Sequence, residues 1–225
     1  MIFAAGFGTR MRELTRDRPK PMLRVMDRTL IDHMLNLVAA AGIKRVVVNT
    51  HYLAHVIEAH LADRDVTVIH ETPDVLETGG GLKNALPVLG PGPVLTLNPD
   101  AWFDGPNPVR LLLDAWQGGA GAQLLVVPRD RALCHAGAGD FDMQAGGQLC
   151  RRTSANAECV YTGAQIITPV ELADIEEKAF SLNLLWDRML ARGEVTGVVY
   201  PGRWVDVGTP EGLAQAKRIA WGRDV

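Results

Sequence analysis

Residues 4–11 read Ala-Ala-Gly-Phe-Gly-Thr-Arg-Met and overlap the end of a short apolar run, residues 2–5, that predicts a β-strand. The two glycines let the backbone pass close to a ligand with positive φ, so that successive N–H groups can point at phosphate oxygens. Arg10 adds a planar fork suited to a polyphosphate, and Lys20, within Pro-Lys-Pro, adds a compact charge. The pattern predicts a phosphate-binding loop at the end of the first strand.

Two other interpretations of this loop compete with phosphate binding. A glycine pair after a strand is often only a tight turn, although the accompanying Arg10 and Lys20 favour a polyphosphate site. The loop also matches half of a dinucleotide-binding fingerprint. However, the third glycine of that fingerprint would fall at Met11, and Asn49 stands where an acidic residue should close the second strand. The sequence therefore disfavours a nicotinamide dehydrogenase.

Beyond the loop, β-branched runs alternate with segments of helical periodicity, which is typical of an α/β sheet covered by helices. Residues 31–41 place apolar side chains on one helical face, whereas residues 45–48 read Arg-Val-Val-Val, as in a buried strand. We expect a mostly parallel mixed sheet in a single domain. Its nucleotide-binding half covers about residues 1–105, and its acceptor half covers about residues 106–225.

The bulk composition excludes several classes of function. The 225 residues carry a formal net charge of -3, with 22% charged and 47% hydrophobic residues, and so lack the basic excess of a nucleic-acid-binding protein. No apolar stretch approaches the roughly 18–20 residues of a membrane span, and the apolar run at residues 1–5 is too short for a signal peptide. We expect a cytoplasmic monomer or small homo-oligomer with no nucleic-acid or membrane partner.

The glycine loop and the downstream Pro19-Lys20-Pro21 together resemble the signature of the sugar-phosphate nucleotidyltransferases. The resemblance extends over nearly the whole chain, because later motifs fall in the expected order. It implies a GT-A-like fold, which is a Rossmann-like three-layer α/β/α arrangement. It also implies magnesium-dependent synthesis of a nucleotide sugar with release of pyrophosphate. In such a site Lys20 contacts the phosphates, and the base and triphosphate are wrapped by Ala4, Ala5, Gly6, Gly8, Thr9 and Arg10.

Two aspartates are the candidate magnesium ligands. Transfer between two polyanions needs charge neutralisation, and Mg²⁺ held by one or two carboxylates is the usual means. Asp100 follows the strand predicted at residues 94–97, where open α/β sheets bind ligands, although Pro99 replaces the glycine usual in the family. Asp206 lies in Trp-Val-Asp-Val-Gly-Thr, which resembles a second family block, and the threonine of that block is the better cap for the final helix. The predicted catalytic residues are Arg10, Lys20, Asp100 and Asp206.

The nucleotide base is expected to meet the segment that leads into the third helix. Residues 77–81, Glu-Thr-Gly-Gly-Gly, resemble the uridylyltransferases that act on N-acetylmuramate 1-phosphate in cell-wall recycling, whereas many other relatives have glycine at the position of Glu77. A glycine-rich helix start offers exposed N–H donors to a ligand, but it also permits close packing on the sheet. The resemblance favours UTP and implies nucleotide contacts by Glu71, Thr72, Glu77, Thr78 and Gly79.

The sugar 1-phosphate is expected mainly in the second half of the chain. The resemblance implies contacts by Asn98, Gly139, Asp140, Tyr161, Thr162 and Gly163. Arg151 and Arg152 stand between these blocks, where relatives that activate simple hexoses often carry Glu-Lys. An arginine there suits the lactyl carboxylate of muramate, and solvated surface arginines are the alternative. Activation of glucose or mannose 1-phosphate with UTP, dTTP or GTP is an alternative reaction, and a non-catalytic nucleotide-sugar sensor is an alternative function.

Overall fold

A computed structural model describes residues 1–222, and strands alternate with helices through this range. The helices are α1 (Leu30–Ala40), α2 (Ala54–Leu61), α3 (Glu77–Leu89), α4 (Pro108–Ala115), α5 (Asn183–Ala191) and α6 (Pro210–Trp221). The strands are β1 (Ile2–Phe3), β2 (Arg24–Val25), β3 (Arg28–Thr29), β4 (Val47–Thr50), β5 (Thr67–His70), β6 (Val94–Leu97), β7 (Ala101–Asp104), β8 (Ala122–Pro128), β9 (Ala132–Leu133), β10 (Phe141–Met143), β11 (Leu149–Arg151), β12 (Cys159–Ile167), β13 (Val195–Val199) and β14 (Arg203–Asp206). Within residues 1–222 no helix combines the length and the apolarity that a membrane span requires.

The main sheet contains strands from both halves of the chain. Its strands run in the order β5-β4-β1-β6-β12-β8-β13, and the β10–β11 hairpin pairs with the start of β12. Strands β5, β4, β1 and β6 are parallel, so their carboxyl ends lie at one end of the sheet. Strand β12 is antiparallel to both β6 and β8, and β13 is parallel to β8. The predicted α/β class with a mixed sheet is confirmed.

Alternate strand residues build a separate core on each face of this sheet. Val47 packs in one core with Leu82 of α3 and Trp186 of α5. Val48, the next residue of β4, belongs to the other core together with Ile31 of α1. Successive side chains of a strand point to opposite faces, which explains how one valine run serves both cores. Helices α3 and α5 therefore cover one face, and α1, α2 and α4 cover the other, which gives three layers.

A small second sheet, β7-β14-β9, brings the last part of the chain back to the end of β6. Strand β14 is antiparallel to β7, with Asp206 opposite Ala101, and the Val207 N–H donates to the Asp100 carbonyl at 2.8 Å. Asp100 and Asp206 are therefore neighbours on adjacent backbone segments. Neither β7 nor β14 is predicted from the sequence, because the two partner strands lie far apart in the chain and leave no local pattern.

Two helix starts bear on the site. Thr209 caps α6, since its side chain accepts a hydrogen bond from the Gly212 N–H at 3.2 Å, and Pro210 follows at the first helical position. Asp206 is therefore not the cap, as the sequence predicts. Helix α3 begins at Glu77, so the glycine run at residues 79–81 lies within its first turns.

A buried carboxylate ties α1 to the end of α2. Thr29 Oγ1 donates to Asp32 Oδ2 at 2.7 Å, while His60 Nε2 and Arg64 Nη2 each lie 3.0 Å from Asp32 Oδ1. Burial alone would raise the pKa of Asp32, but the hydrogen bonds from Thr29 and His60 outweigh it and hold the pKa below its ordinary value. Asp32 therefore acts as an ionised link between two elements of the same layer.

We predict that Asp32→Asn lowers the free energy of unfolding at pH 7 by about 1–3 kcal/mol, because His60 and Arg64 lose their charged acceptor. The folded-state pKa lies below the unfolded-state value. The contribution is thus present above the unfolded pKa of about 3.9 and is lost as the pH falls through the folded value. Urea unfolding at successively lower pH should show the difference from wild type narrowing. Asp114→Asn, at an exposed position on α4, is the control. A difference that is absent at pH 7, or that grows on acidification, would contradict this role.

Candidate active site

The glycine loop follows β1 at the carboxyl end of the parallel strands. Gly8 has a φ of 65°, in the left-handed region that favours glycine, and a 3₁₀ segment, Thr9–Thr15, follows it. A Cβ added at Gly8 would lie 3.0 Å from Lys20 Cβ and 3.2 Å from the Thr15 side chain. The glycine therefore also allows the Lys20 segment to pack directly against the loop.

A cavity of about 190 Å³ opens beside this loop. Its walls come from the ends of β1, β4 and β6 and from the start of α3. Of the residues expected to bind nucleotide, this cavity is lined by Ala4, Ala5, Gly6, Lys20, Glu77 and Thr78. Asn49 lines it as well, although the sequence suggested no role for this residue in a triphosphate site.

A second cavity, of about 210 Å³, adjoins the first, because Asn98 and Asp100 line both. Of the predicted site residues, this second cavity is lined by Arg10, Asn98, Asp100, Asp140, Tyr161, Thr162, Gly163 and Asp206. His135 and Trp204 also line it and are not predicted from the sequence. The structure thus brings Arg10, Lys20, Asp100 and Asp206 together at two joined cavities.

Opposite charges face each other where the cavities meet. Lys20 Nζ lies 2.6 Å from Asp100 Oδ2, and both side chains are mostly buried. Burial raises the pKa of Asp100, but the Lys20 ammonium, together with the Arg10 guanidinium, outweighs this and holds the pKa below its ordinary value. Asp100 is therefore ionised at neutral pH. A polyanion would give Lys20 another partner, and a cation would give Asp100 another partner, so the pair is suited to exchange with charged ligands.

Asp206 is held by a separate group of contacts. Its Oδ1 accepts the Gly208 N–H at 2.7 Å, and its Oδ2 lies 3.5 Å from His135 Nδ1 and 3.8 Å from Arg10 Nη1. The Arg10 side chain is 61% exposed, so this ion pair is loose and Arg10 has room to turn toward a ligand. Sequence reasoning missed His135 because it is a single histidine in a segment rich in Gly and Ala, with no neighbouring ligand pattern.

The carboxylates of Asp100 and Asp206, near the place where the two cavities meet, suit a hard divalent cation. Across residues 1–222, no cluster of three or more His, Cys, Asp or Glu side chains is arranged to hold a metal ion. A zinc centre would need such a cluster, whereas Mg²⁺ is usually held by one or two carboxylates and otherwise by phosphates and water. Asp100 and Asp206, which line one cavity from adjacent backbone segments, match the second description.

The glycine run of α3 serves packing. The Gly79 and Gly80 amides both donate to the Phe180 carbonyl, at 2.8 and 3.1 Å, so neither N–H is available to a ligand. A Cβ added at Gly79 would also lie 2.8 Å from that carbonyl oxygen. The prediction of exposed N–H donors at Gly79 is therefore wrong, and close packing is the correct interpretation. Thr78 does line the first cavity, and its hydroxyl accepts the Leu182 N–H at 2.9 Å.

Glu71 and Thr72 lie away from the cavity beside the glycine loop and contribute to a separate groove. Glu71 is only 1% exposed, and its carboxylate is turned inward to accept a hydrogen bond from the Leu76 N–H. A direct base contact by Glu71 is therefore not supported by this arrangement. Glu77, in contrast, lines the cavity with a φ of 59°. This backbone conformation favours glycine over residues that carry a side chain.

On the sugar side, Gly139 shapes the turn that presents Asp140. Gly139 has a φ of 82°, and a Cβ added there would lie 2.9 Å from Ala157 Cβ. Asp140 Oδ2 then accepts the Tyr161 N–H at 2.8 Å, which fixes two of the cavity walls relative to each other. Burial raises the pKa of Tyr161, so its phenol stays protonated and can donate a hydrogen bond.

Arg151 and Arg152 do not line the second cavity. Arg151 Nε donates to Asp187 Oδ1 at 2.8 Å, and its Nη2 donates to Asn183 Oδ1 at 2.8 Å, so the side chain is bound to α5. Arg152 donates to a nearby backbone carbonyl. The surface interpretation of these arginines is therefore the better one. The basic side chains that line the second cavity are those of Arg10 and His135.

Comparison with known proteins identifies the family. Residues 1–179 match a family model described as MobA-like NTP transferase domain. The chain belongs to this family. An N-acetylmuramate alpha-1-phosphate uridylyltransferase from Caulobacter vibrioides is 39% identical over 232 aligned residues, which cover 98% of this chain and 96% of the relative. Another, from Neisseria meningitidis serogroup B, is 30% identical over 227 aligned residues, which cover 98% and 97%.

A solved structure supports the fold of this NTP transferase. A putative glucose-1-phosphate thymidylyltransferase from Bacillus anthracis superposes with a TM-score of 0.81 and 18% identity, covering 100% of this chain and 94% of the other. At that identity the likeness shows the fold alone. The GT-A-like nucleotidyltransferase fold implied by the resemblance is thus confirmed.

Gly208 offers a way to displace two site residues of this NTP transferase without removing either. A Cβ added at Gly208 would lie 2.7 Å from Asp206 Oδ1 and would collide with the guanidinium of Arg10. We predict that Gly208→Ala lowers turnover, measured as pyrophosphate release, by about 10- to 100-fold, because small misplacements of charged groups are costly in catalysis. Gly92→Ala, where an added Cβ meets no atom within 4 Å, is the control. Unchanged turnover in a folded Gly208→Ala protein would exclude this positioning effect.

Proposed function

We propose that this NTP transferase moves the uridylyl group of UTP to N-acetylmuramate 1-phosphate, forming UDP-N-acetylmuramate and pyrophosphate. The observation that carries the proposal is the junction of two cavities at Asn98 and Asp100, one beside the glycine loop and the other beside Asp140 and Tyr161. Substrates bound on either side of a shared carboxylate can react directly with each other. The choice of base and sugar is supported by the names of two relatives that align over nearly the whole chain.

The two halves of a single domain would each bind one of the two substrates. The residues that line the first cavity all fall within residues 1–105, whereas Asp140, Tyr161 and Trp204 add walls to the second cavity from residues 106–225. UTP would occupy the first cavity and the sugar 1-phosphate the second. The enzyme would act in the cytoplasm on a sugar phosphate recovered from the cell wall.

The reaction needs no covalent enzyme intermediate. A phosphate oxygen of the sugar 1-phosphate attacks the α-phosphorus of UTP, and the bond from that phosphorus to the bridging oxygen breaks in line, so that pyrophosphate leaves with the electron pair. Lys20 would turn from Asp100 to offset charge on the α-phosphate. The exposed Arg10 would leave Asp206 to meet the departing pyrophosphate.

Asp100 and Asp206 are the residues that would hold Mg²⁺, which when bound supplies charge neutralisation to the phosphates of both substrates. A bound triphosphate gives Lys20 and Arg10 new partners and so leaves both carboxylates free to face a cation. The Gly208 N–H keeps Asp206 in place during this exchange, because its hydrogen bond uses Oδ1 and leaves Oδ2 for another ligand.

Pyrophosphate release tests the proposed reaction. A matrix of UTP, dTTP, GTP and ATP against the 1-phosphates of N-acetylmuramate, glucose and mannose should give the highest kcat/KM for UTP with N-acetylmuramate 1-phosphate. EDTA should abolish release, and excess Mg²⁺ should restore it. A preference for glucose or mannose 1-phosphate would instead assign the chain to the alternative reaction. UTP binding without pyrophosphate release from any pair would identify a non-catalytic sensor.

We predict that Asp100→Asn lowers turnover by at least about 100-fold, in line with the loss of one preorganised charge-stabilising group. The isosteric amide removes the charge that faces Lys20, and the backbone after β6 is left as it is. Far-UV circular dichroism and thermal unfolding should show an intact fold, and Asp114→Asn on α4 should retain wild-type turnover. Near-normal turnover in Asp100→Asn would remove this residue from the proposed active site.

A further inference from the structure

A buried polar pair, Asn49 and Glu71, adjoins the cavity that would take the nucleotide, and Asn49 forms part of its wall. Asn49 and Glu71 are 3% and 1% exposed. The Ala4 N–H donates to Asn49 Oδ1 at 2.9 Å, and Asn49 Nδ2 donates to Glu71 Oε1 at 2.7 Å. The Leu76 N–H donates to Glu71 Oε2 at 2.7 Å. These three hydrogen bonds connect Ala4, which lines the cavity on the side of the glycine loop, to Leu76, which directly precedes Glu77 on another wall of the cavity.

The chemistry of the two backbone N–H groups fixes which atom donates and which accepts in each of these hydrogen bonds. A backbone N–H can only donate, so Ala4 requires the oxygen of the Asn49 amide and thereby turns its nitrogen toward Glu71. Leu76 likewise requires an acceptor at the other oxygen of Glu71. Both carboxylate oxygens must therefore accept, which an ionised glutamate can do and a glutamine cannot.

Gly81 provides the space for the central hydrogen bond. A Cβ added at Gly81 would lie 2.7 Å from Glu71 Oε1 and 2.9 Å from Asn49 Nδ2. It would therefore collide with both atoms that form this hydrogen bond. The last glycine of residues 79–81 is therefore needed by the Asn49–Glu71 pair as well as by the packing of α3.

We propose that Asn49 and Glu71 are positioning residues for the nucleotide, and that their matched donor and acceptor polarity holds Ala4 and Glu77 at the separation the nucleotide requires. The inference rests on the proposed function, because it concerns the same cavity. Buried polar groups that are fully satisfied specify one arrangement, whereas a mismatched partner destabilises that arrangement. The walls of the cavity are thus preorganised before the nucleotide enters.

Exchange of the donor and acceptor groups between Asn49 and Glu71 tests this positioning role. Glu71→Gln places an NH₂ group against one of two N–H donors, and Asn49→Asp places two acceptors against each other. The double variant Asn49→Asp/Glu71→Gln restores the match, because the new carboxylate on β4 then accepts from both Ala4 and the new amide, whose oxygen accepts from Leu76. We expect each single variant to raise the KM for UTP by about 10-fold with little change in the KM for the sugar phosphate. The double variant should return to within about 3-fold of wild type.

A simple effect of the lost charge would change UTP binding in the opposite direction. Glu71→Gln removes a negative charge, which by itself would favour an anionic nucleotide, whereas the positioning role predicts weaker binding. Asn107→Asp is the matched control, because Asn107 also accepts a backbone N–H at Oδ1 and donates from Nδ2 to a backbone carbonyl, but it does so at α4. That variant should unfold at a lower temperature and keep the wild-type KM for UTP.

The possible outcomes separate this inference from the proposed function. Wild-type KM for UTP in a folded Glu71→Gln protein, or a double variant no better than the worse single variant, would overturn the positioning role. Should both single variants fail to fold, the double variant decides, since recovery of folding and activity supports the matched pair and failure overturns it. A wild-type protein that releases no pyrophosphate would overturn the proposed function, while UTP affinity measured by calorimetry would still test the pair.

Discussion

The backbone pairing of β14 with β7 is the constraint on which the whole site depends. The pairing sets Asp206 opposite Ala101 and so places Asp206 beside Asp100. Asp100 is itself held by its position after β6 and by its ion pair with Lys20. The parallel strands alone would provide the glycine loop, Lys20 and the first cavity. The return of the chain through β14 adds the second carboxylate, while the pairing of β12 with β6 joins the two halves of the chain in the main sheet.

Local sequence features predicted the parts of the site that lie at strand ends. The glycine loop follows β1 and Asp100 follows β6, because parallel strands of an open α/β sheet present their carboxyl ends together. The helix at residues 31–41 and the strands at residues 45–48 and 94–97 are likewise predicted from their residue patterns, and α1, β4 and β6 overlap them. The β7–β14 pairing is not predicted, because partners so far apart in the sequence leave no local pattern. His135 escaped notice for a similar reason, because only the folded chain brings it to Asp206.

Gly79 and Glu71 are two residues whose roles the sequence does not predict correctly. Glycine permits both ligand approach and close packing, and the choice at Gly79 is made by Phe180, whose carbonyl occupies the amide. A glutamate beside a predicted site suggests ligand contact, yet Glu71 faces inward because Asn49 and Leu76 both require an acceptor. In both cases a distant or buried partner determines the role. The contacts of Gly79 and Glu71 therefore could not be predicted from the sequence.

The central claim is that Asp100 and Asp206 together hold the divalent ion on which both substrates meet. Anomalous diffraction from crystals grown with Mn²⁺ and a non-hydrolysable UTP analogue tests it most directly. We predict a manganese peak within coordination distance of both carboxylates, with Lys20 moved from Asp100 to the phosphates. A peak bound by other side chains, with Asp206 still paired to Arg10, would contradict it.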